Sequence, residues 1–309
     1  MRGSQAVLGR FARPVADCPT RLAVLSDLHL SLSEHGTWRV SHRTRERLEA
    51  AVQAVNRLEL DGVVFNGDLV QSGTKPQFDA FDRIVKRFAP PLFAVPGNHD
   101  LIDRGGTADS QLSLGEFERR YAPAEFPYRK RLGGIDLIGL NSNASTHESL
   151  TNSFEGRVET ETLTWLGEAL KDSDCPLVTV HHALEPVRDS YRRWKRDLPV
   201  ENGGSPGFAN AEALLDVLST NGAPLVLTGH LHFPAVARTG SVHEFTLPSL
   251  GPFPSGFTVL DVDESGTTAT FHSVVNTEEQ VESLGYGVKH DRALIAAAQL
   301  ATLPLVDES

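Results

Sequence analysis

Apolar residues fall in short runs, and the residues that end those runs are strongly polar. Leu22-Ala23-Val24-Leu25 leads into Ser26-Asp27-Leu28-His29, and Gly62 to Phe65 leads into Asn66-Gly67-Asp68. Pro91 to Val95 leads into Pro96-Gly97-Asn98-His99-Asp100, Leu177 to Val180 into His181-His182, and Pro224 to Leu227 into Gly229-His230-Leu231-His232. Runs of this length bounded by turn residues read as buried strands. Between the first three, the spacing predicts amphipathic helices over residues 44–58 (Leu48, Ala51, Val52, Val55, Leu58) and from Thr74, a plausible N-cap with Pro76 just inside, through Phe78, Phe81, Ile84 and Phe88. Strand, helix, strand, helix, strand is the pattern of a parallel sheet with crossover helices, in which ligands sit beyond the carboxyl ends of the strands. Asp27 and His29 alternate, so as strand residues they point to the same side.

Downstream, Ser113 and Glu116 form a capping box for a short helix to Tyr121, and residues 128–132 and 135–141 read as a hairpin about Gly133-Gly134. A polar loop over 141–154, helices over 160–170 and 210–218, and antiparallel strands within 235–247 and 257–272 complete the body. Residues 185–210 form a long connection with no predicted element, holding Arg188, Tyr191, Arg192, Arg193, Trp194, Lys195 and Arg196. We read it as a flap that carries positive charge to an anionic substrate, with Arg192 and Arg193 as contacts; the alternative is a solvated helix or loop whose aromatics pack on the body. The expected organisation is an N-terminal extension over 1–20, one domain over 21–275, and a C-terminal extension over 276–309 with a helix at 291–300 and a loose tail.

Composition narrows the function classes. A chain of 309 residues that is 40% hydrophobic can bury a substantial core, and its net charge of −11 argues against a protein that binds a nucleic-acid backbone through massed Lys and Arg. Residues 1–20 hold three arginines but no apolar signal core, and no apolar run reaches membrane-spanning length, so a cytoplasmic protein is expected. Cys18 and Cys175 lack metal-ligand spacing and read as idle thiols.

The five strand ends together offer carboxylate and amide oxygens with several imidazole nitrogens, a mixture suited to transition metals rather than to an all-oxygen calcium or magnesium site. The donors are too many for one ion, and two cations about 3.5 to 4 Å apart call for a bridging carboxylate.

Asp27-x-His29, Gly67-Asp68, Gly97-Asn98-His99-Asp100, His181 and Gly229-His230-x-His232 follow in the order of the five motifs of the calcineurin-like metallophosphoesterases, which the chain resembles over residues 21–272. The resemblance implies an α/β fold, a four-layer sandwich of two mixed sheets flanked by helices. It implies two divalent or mixed-valence ions (Mn, Fe or Zn), one held by Asp27, His29 and His232 and the other by Asn98, His181 and His230, with Asp68 bridging. His182 would then touch substrate. His99 would protonate the leaving group, with Asp100 placed to orient it. The implied reaction is direct attack of a metal-bridging hydroxide on a small phosphodiester or phosphomonoester, most like that of the class III cyclic nucleotide phosphodiesterases. The competing readings are a nuclease of the same superfamily and a metal-binding scaffold without activity; the acidic balance disfavours the first and the full ligand set the second.

Overall fold

In the computed structural model, which describes residues 4–33, 35–101, 110–143, 154–200, 204 and 207–309, the apolar runs build two mixed sheets. The first contains β1 (Gln5–Phe11), β2 (Thr20–Leu25), β3 (Gly62–Asn66), β4 (Leu92–Val95), β11 (Gly256–Asp263), β12 (Gly266–Ser273) and β13 (Val306–Asp307). The second contains β5 (Tyr128–Leu132), β6 (Ile135–Gly139), β7 (Pro176–Thr179), β8 (Leu225–Thr228), β9 (Ala235–Thr239) and β10 (Val242–Thr246). Their orders are β13-β1-β12-β11-β2-β3-β4 and β5-β6-β7-β8-β10-β9. The central neighbours β2, β3 and β4, and likewise β6, β7 and β8, are parallel.

Strand alternation sorts the core into layers. Leu22 and Val24 of β2, Val64 of β3, and Leu177, Leu225 and Leu227 of the second sheet meet between the sheets. Ala23, Leu25, Val63 and Phe65 face outward against α1 (Thr44–Val55), α2 (Lys75–Val85) and α3 (Leu114–Tyr121). On the far side Ile138, Val178 and Val226 pack on α4 (Thr160–Lys171) and α6 (Ala211–Thr220). The result is the four-layer sandwich expected from the resemblance, and α3 carries the predicted capping box.

Three segments differ from the sequence expectation. The connection after β7 is not structureless: α5 (Glu185–Lys195) starts with Pro186 in its first turn and buries Val187 and Tyr191, and Trp194 completes the same helical face. The stretch expected as an N-terminal extension supplies β1: Leu8 and Phe11 both enter the core between the sheets, a register shift between Val7 and Gly9 letting residues three apart share a face. The C-terminal extension forms α7 (Thr277–Gly287), opened by an Asn276/Glu279 capping box, then the predicted α8 (Asp291–Leu300), and in place of a loose tail β13, which pairs in parallel with β1. Most of the loop expected over 141–154 lies outside the described residues. No described helix is long and apolar enough to cross a membrane.

Candidate metal centre

The candidate ligands stand where the strands stop. β2 ends at Leu25, and the chain then runs alongside the end of β3: the Asp27 amide donates to the Gly67 carbonyl at 3.1 Å and the His29 amide to the Asp68 carbonyl at 2.9 Å. Asp27, His29, Asp68, His230 and His232 all have left-handed backbone, with φ of 52, 52, 52, 67 and 65°. Such conformations cost a non-glycine residue of order 1–3 kcal/mol and cluster at functional sites. Asp27 and His29 therefore converge through a strained loop, not through the strand alternation expected from sequence.

Asp68 is the centre. Its Oδ2 lies 3.4 Å from Nε2 of both His29 and His181, and its Oδ1 accepts the His99 amide at 2.8 Å. On one side His232 Nε2 stands 3.2 Å from Asp27 Oδ1 and 3.1 Å from His29 Nε2. On the other, His230 Nδ1 stands 3.0 Å from Asn98 Oδ1. Donor atoms of Asp27, His29, Asp68 and His232 form one compact group and those of Asp68, His181 and His230 another, so Asp68 belongs to both. His181 Nδ1 donates to the Asn66 carbonyl at 2.8 Å, which fixes the ring and aims Nε2 at Asp68.

Burial sets the charge states. It holds the His29 and His230 imidazoles well below their ordinary range and pulls His232 down to about 4, so all three are neutral, the form that ligates. Burial alone would raise the Asp68 carboxyl, but chiefly the imidazoles of His181 and His99 outweigh it and hold the group well below the usual carboxylate range. Burial also opposes the charge on His181, yet Asp68 lifts that imidazole to about 9, and His181 must release a proton to become a ligand.

The donor set fits cations. Buried His230 Nε2 has no hydrogen-bond partner, nor have the Nδ1 atoms of His29 and His232, whose Nε2 atoms meet at 3.1 Å. A core would not keep such polar atoms unsatisfied, at about 1–3 kcal/mol each, unless something bound there.

The loop after β4 holds this arrangement. Asp100 does not orient the His99 ring as the sequence suggested. Its carboxylate accepts the amides of Gly97 at 2.9 Å and Val70 at 3.0 Å and so braces the loop, with burial and the Asp68 charge raising it to about 7. The His99 ring is set instead by Nδ1 donating to the Gln71 carbonyl at 2.7 Å. Gly97 is needed because a Cβ there would collide with the Asp68 amide and carboxylate. Gly97→Ala should destabilise the fold by about 1–3 kcal/mol and displace Asp68; thermal unfolding and metal analysis check this, and an unchanged melting point with full metal content would refute it.

His182 is buried beside the centre, with Nδ1 and the Ser142 hydroxyl 2.8 Å apart and its ring 4.8 Å from that of His230. Arg192 lies on α5, where it pairs with Glu185 and Asp189, and Arg193 donates to Ser190 at 2.8 Å. Neither lines the cleft over the donors. That cleft, of about 210 Å³, is walled by Trp38, Arg39, His99, His290 and Arg292 together with Asp68, Asn98, His230 and His232. Replacing Arg192, Arg193 and Arg196 together with alanine should thus leave KM for bis(p-nitrophenyl) phosphate within about twofold, as for exposed ion pairs; a larger rise would return the segment to the cleft. Sequence reasoning missed Trp38, Arg39, Gln71, His290 and Arg292 as site residues. No motif marks them.

A family model described as calcineurin-like phosphoesterase matches residues 20–234. A 3',5'-cyclic-nucleotide phosphodiesterase from Nostoc sp. is 26% identical over 75% of this chain and 78% of its own length. A cAMP/cGMP dual specificity phosphodiesterase from Mycobacterium tuberculosis is 27% identical over 68% of this chain and 60% of its own. Among solved structures, a dimetal phosphatase from Danio rerio aligns with a TM-score of 0.64 at 14% identity, covering 85% of this chain and 98% of that one. A purple acid phosphatase from yellow lupin aligns at 0.56 and 12% identity, over 85% of this chain and 52% of that one. With the family's matched stretch ending in Gly229-His230-x-His232 and the two donor groups sharing Asp68 at the strand ends, the chain belongs to the calcineurin-like phosphoesterases, a family of metal-dependent phosphohydrolases.

Proposed function

We propose that this protein hydrolyses a small phosphodiester, with a cyclic nucleotide or nucleotide-like ester as substrate, using two ions drawn from Mn, Fe and Zn. The observation that carries the reading is the sharing of Asp68 by two buried donor groups. Asp27, His29 and His232 would hold one ion and Asn98, His181 and His230 the other, with Asp68 shared between them. Ions held there supply Lewis acidity to the phosphoryl oxygens and an activated water.

The remaining work falls to the chain. The neutral imidazoles keep their lone pairs for ligation, and the Asn66 carbonyl fixes the His181 tautomer. Because His99 Nδ1 donates to Gln71, Nε2 is the nitrogen that carries a proton to the leaving oxygen. The choice of a small diester is supported by the cyclic-nucleotide relatives, the modest cleft and the net charge of −11.

The test is a turnover panel of cyclic nucleotides, nucleoside monophosphates, glycerophosphodiesters and supercoiled plasmid DNA, with the protein reconstituted in turn with Mn, Fe and Zn. Fastest turnover of a cyclic nucleotide supports the reading. Nicking of plasmid with no turnover of small diesters would overturn it.

A further inference from the structure

Part of the cleft wall comes from residues beyond the family-matched stretch of 20–234. His290, immediately before α8, stacks on Trp38 with ring centroids 3.8 Å apart and planes 13° from parallel, and Trp38 also stacks on His232 at 5.2 Å. Asp291, fully buried, accepts the Tyr191 hydroxyl at 2.7 Å and the Arg292 amide at 2.8 Å. The buried face of α5 thus pins the first turn of α8 at the mouth of the centre. That turn sets Arg292 in the cleft, where the residue is only 9% exposed. One guanidinium N–H donates to the His230 carbonyl at 2.8 Å, while Nε is buried with no hydrogen-bond partner.

A buried guanidinium next to a site for cations is unfavourable unless an anion lies between them. Asp291 answers part of the charge, but its oxygens are already engaged by Tyr191, His290 and the Arg292 backbone amide. The planar fork of arginine matches a phosphate oxygen pair, and the one N–H given to the His230 carbonyl leaves further guanidinium donors on a residue that lines the cleft.

We infer that Arg292 is a substrate-binding residue, taking a non-bridging oxygen of the substrate's phosphate group over the donor cluster. The C-terminal helices are then a working part of the site. This rests on the phosphoesterase reading above for the identity of the ester, but the anion site itself is tested separately.

Metal-loaded wild type, Arg292→Lys and Arg292→Gln are compared by metal content per chain, calorimetric binding of inorganic phosphate, and kcat and KM for bis(p-nitrophenyl) phosphate. Both variants should keep the wild-type metal content. The dissociation constant for phosphate should rise by roughly 10- to 100-fold in Arg292→Gln, the loss expected for a charge-assisted hydrogen bond, and by less in Arg292→Lys. KM should follow the same order, with kcat changing less. Unchanged phosphate binding with metals in place would overturn the inference. So would loss of metal in Arg292→Lys, which would make Arg292 a tether for the His230 loop. Wild type that binds phosphate through Arg292 but turns over no phosphoester would support the anion site and overturn the activity reading.

Discussion

Asp68→Ala is expected to lower turnover by roughly 10³-fold or more, because the loss of several kcal/mol of Lewis-acid stabilisation costs a factor of ten for each 1.4. Metal content should fall with it. Every other candidate ligand touches one donor group, whereas the Asp68 carboxylate lies 3.4 Å from imidazoles of both and is kept ionised, chiefly by His181, despite its burial. It also receives the His99 amide, so its removal slackens the loop that places Asn98. Asp68→Asn retains that hydrogen bond and the side-chain volume but not the charge, and it separates loss of the bridge from loss of the loop. Elemental analysis and turnover of bis(p-nitrophenyl) phosphate check the pair of variants. Near-normal activity with two metals per chain in Asp68→Ala would sink the bridging role.

His99→Gln should retain both metals and lose about 10²- to 10⁴-fold in turnover of esters with poor leaving groups, the range for one positioned proton donor. Retention is expected because it is the backbone amide of His99, not its ring, that holds Asp68. The ring sits edge-on to His29 with centroids 4.6 Å apart, so the bulkier glutamine is the gentler replacement than alanine. The decisive comparison is between leaving groups. Nitrophenolate hardly needs a proton and an alkoxide does, so the loss should be much smaller for the aryl ester. Equal losses for both would contradict a general-acid role.

Much of this was legible in the residues themselves. Short apolar runs ending in Asp, Asn or His located each donor, and the helical spacing in Leu48, Val52 and Val55 or Phe78, Phe81 and Ile84 foretold the outer layer on the first sheet. One helix, α5, was read only as an alternative to a flap and another, α7, was overlooked, for different reasons. In α5, Val187, Tyr191 and Trp194 recur at helical spacing after Pro186, but the dense arginines around them draw attention to charge rather than period. In α7 the buried positions are Ser283 and Gly287, which leave no apolar stripe to read, although the Asn276-x-x-Glu279 capping box was there to be found.

The sequence by itself determined which residues could bind metal, because parallel strands deliver their carboxyl ends to one edge and any polar residues placed there must meet. The tertiary structure decided how they meet. The left-handed turns at Asp27, His29, Asp68, His230 and His232 divide the donors into two groups about one carboxylate, and no local pattern announces a positive φ in such residues. The structure alone also brings Trp38 against His290 and Arg292 against the His230 carbonyl. Periodicity and capping report on neighbours a few residues apart, whereas contacts between the first and last parts of the chain depend on how the sheets and helices pack, which is why the wall of the cleft could be seen only in the folded molecule.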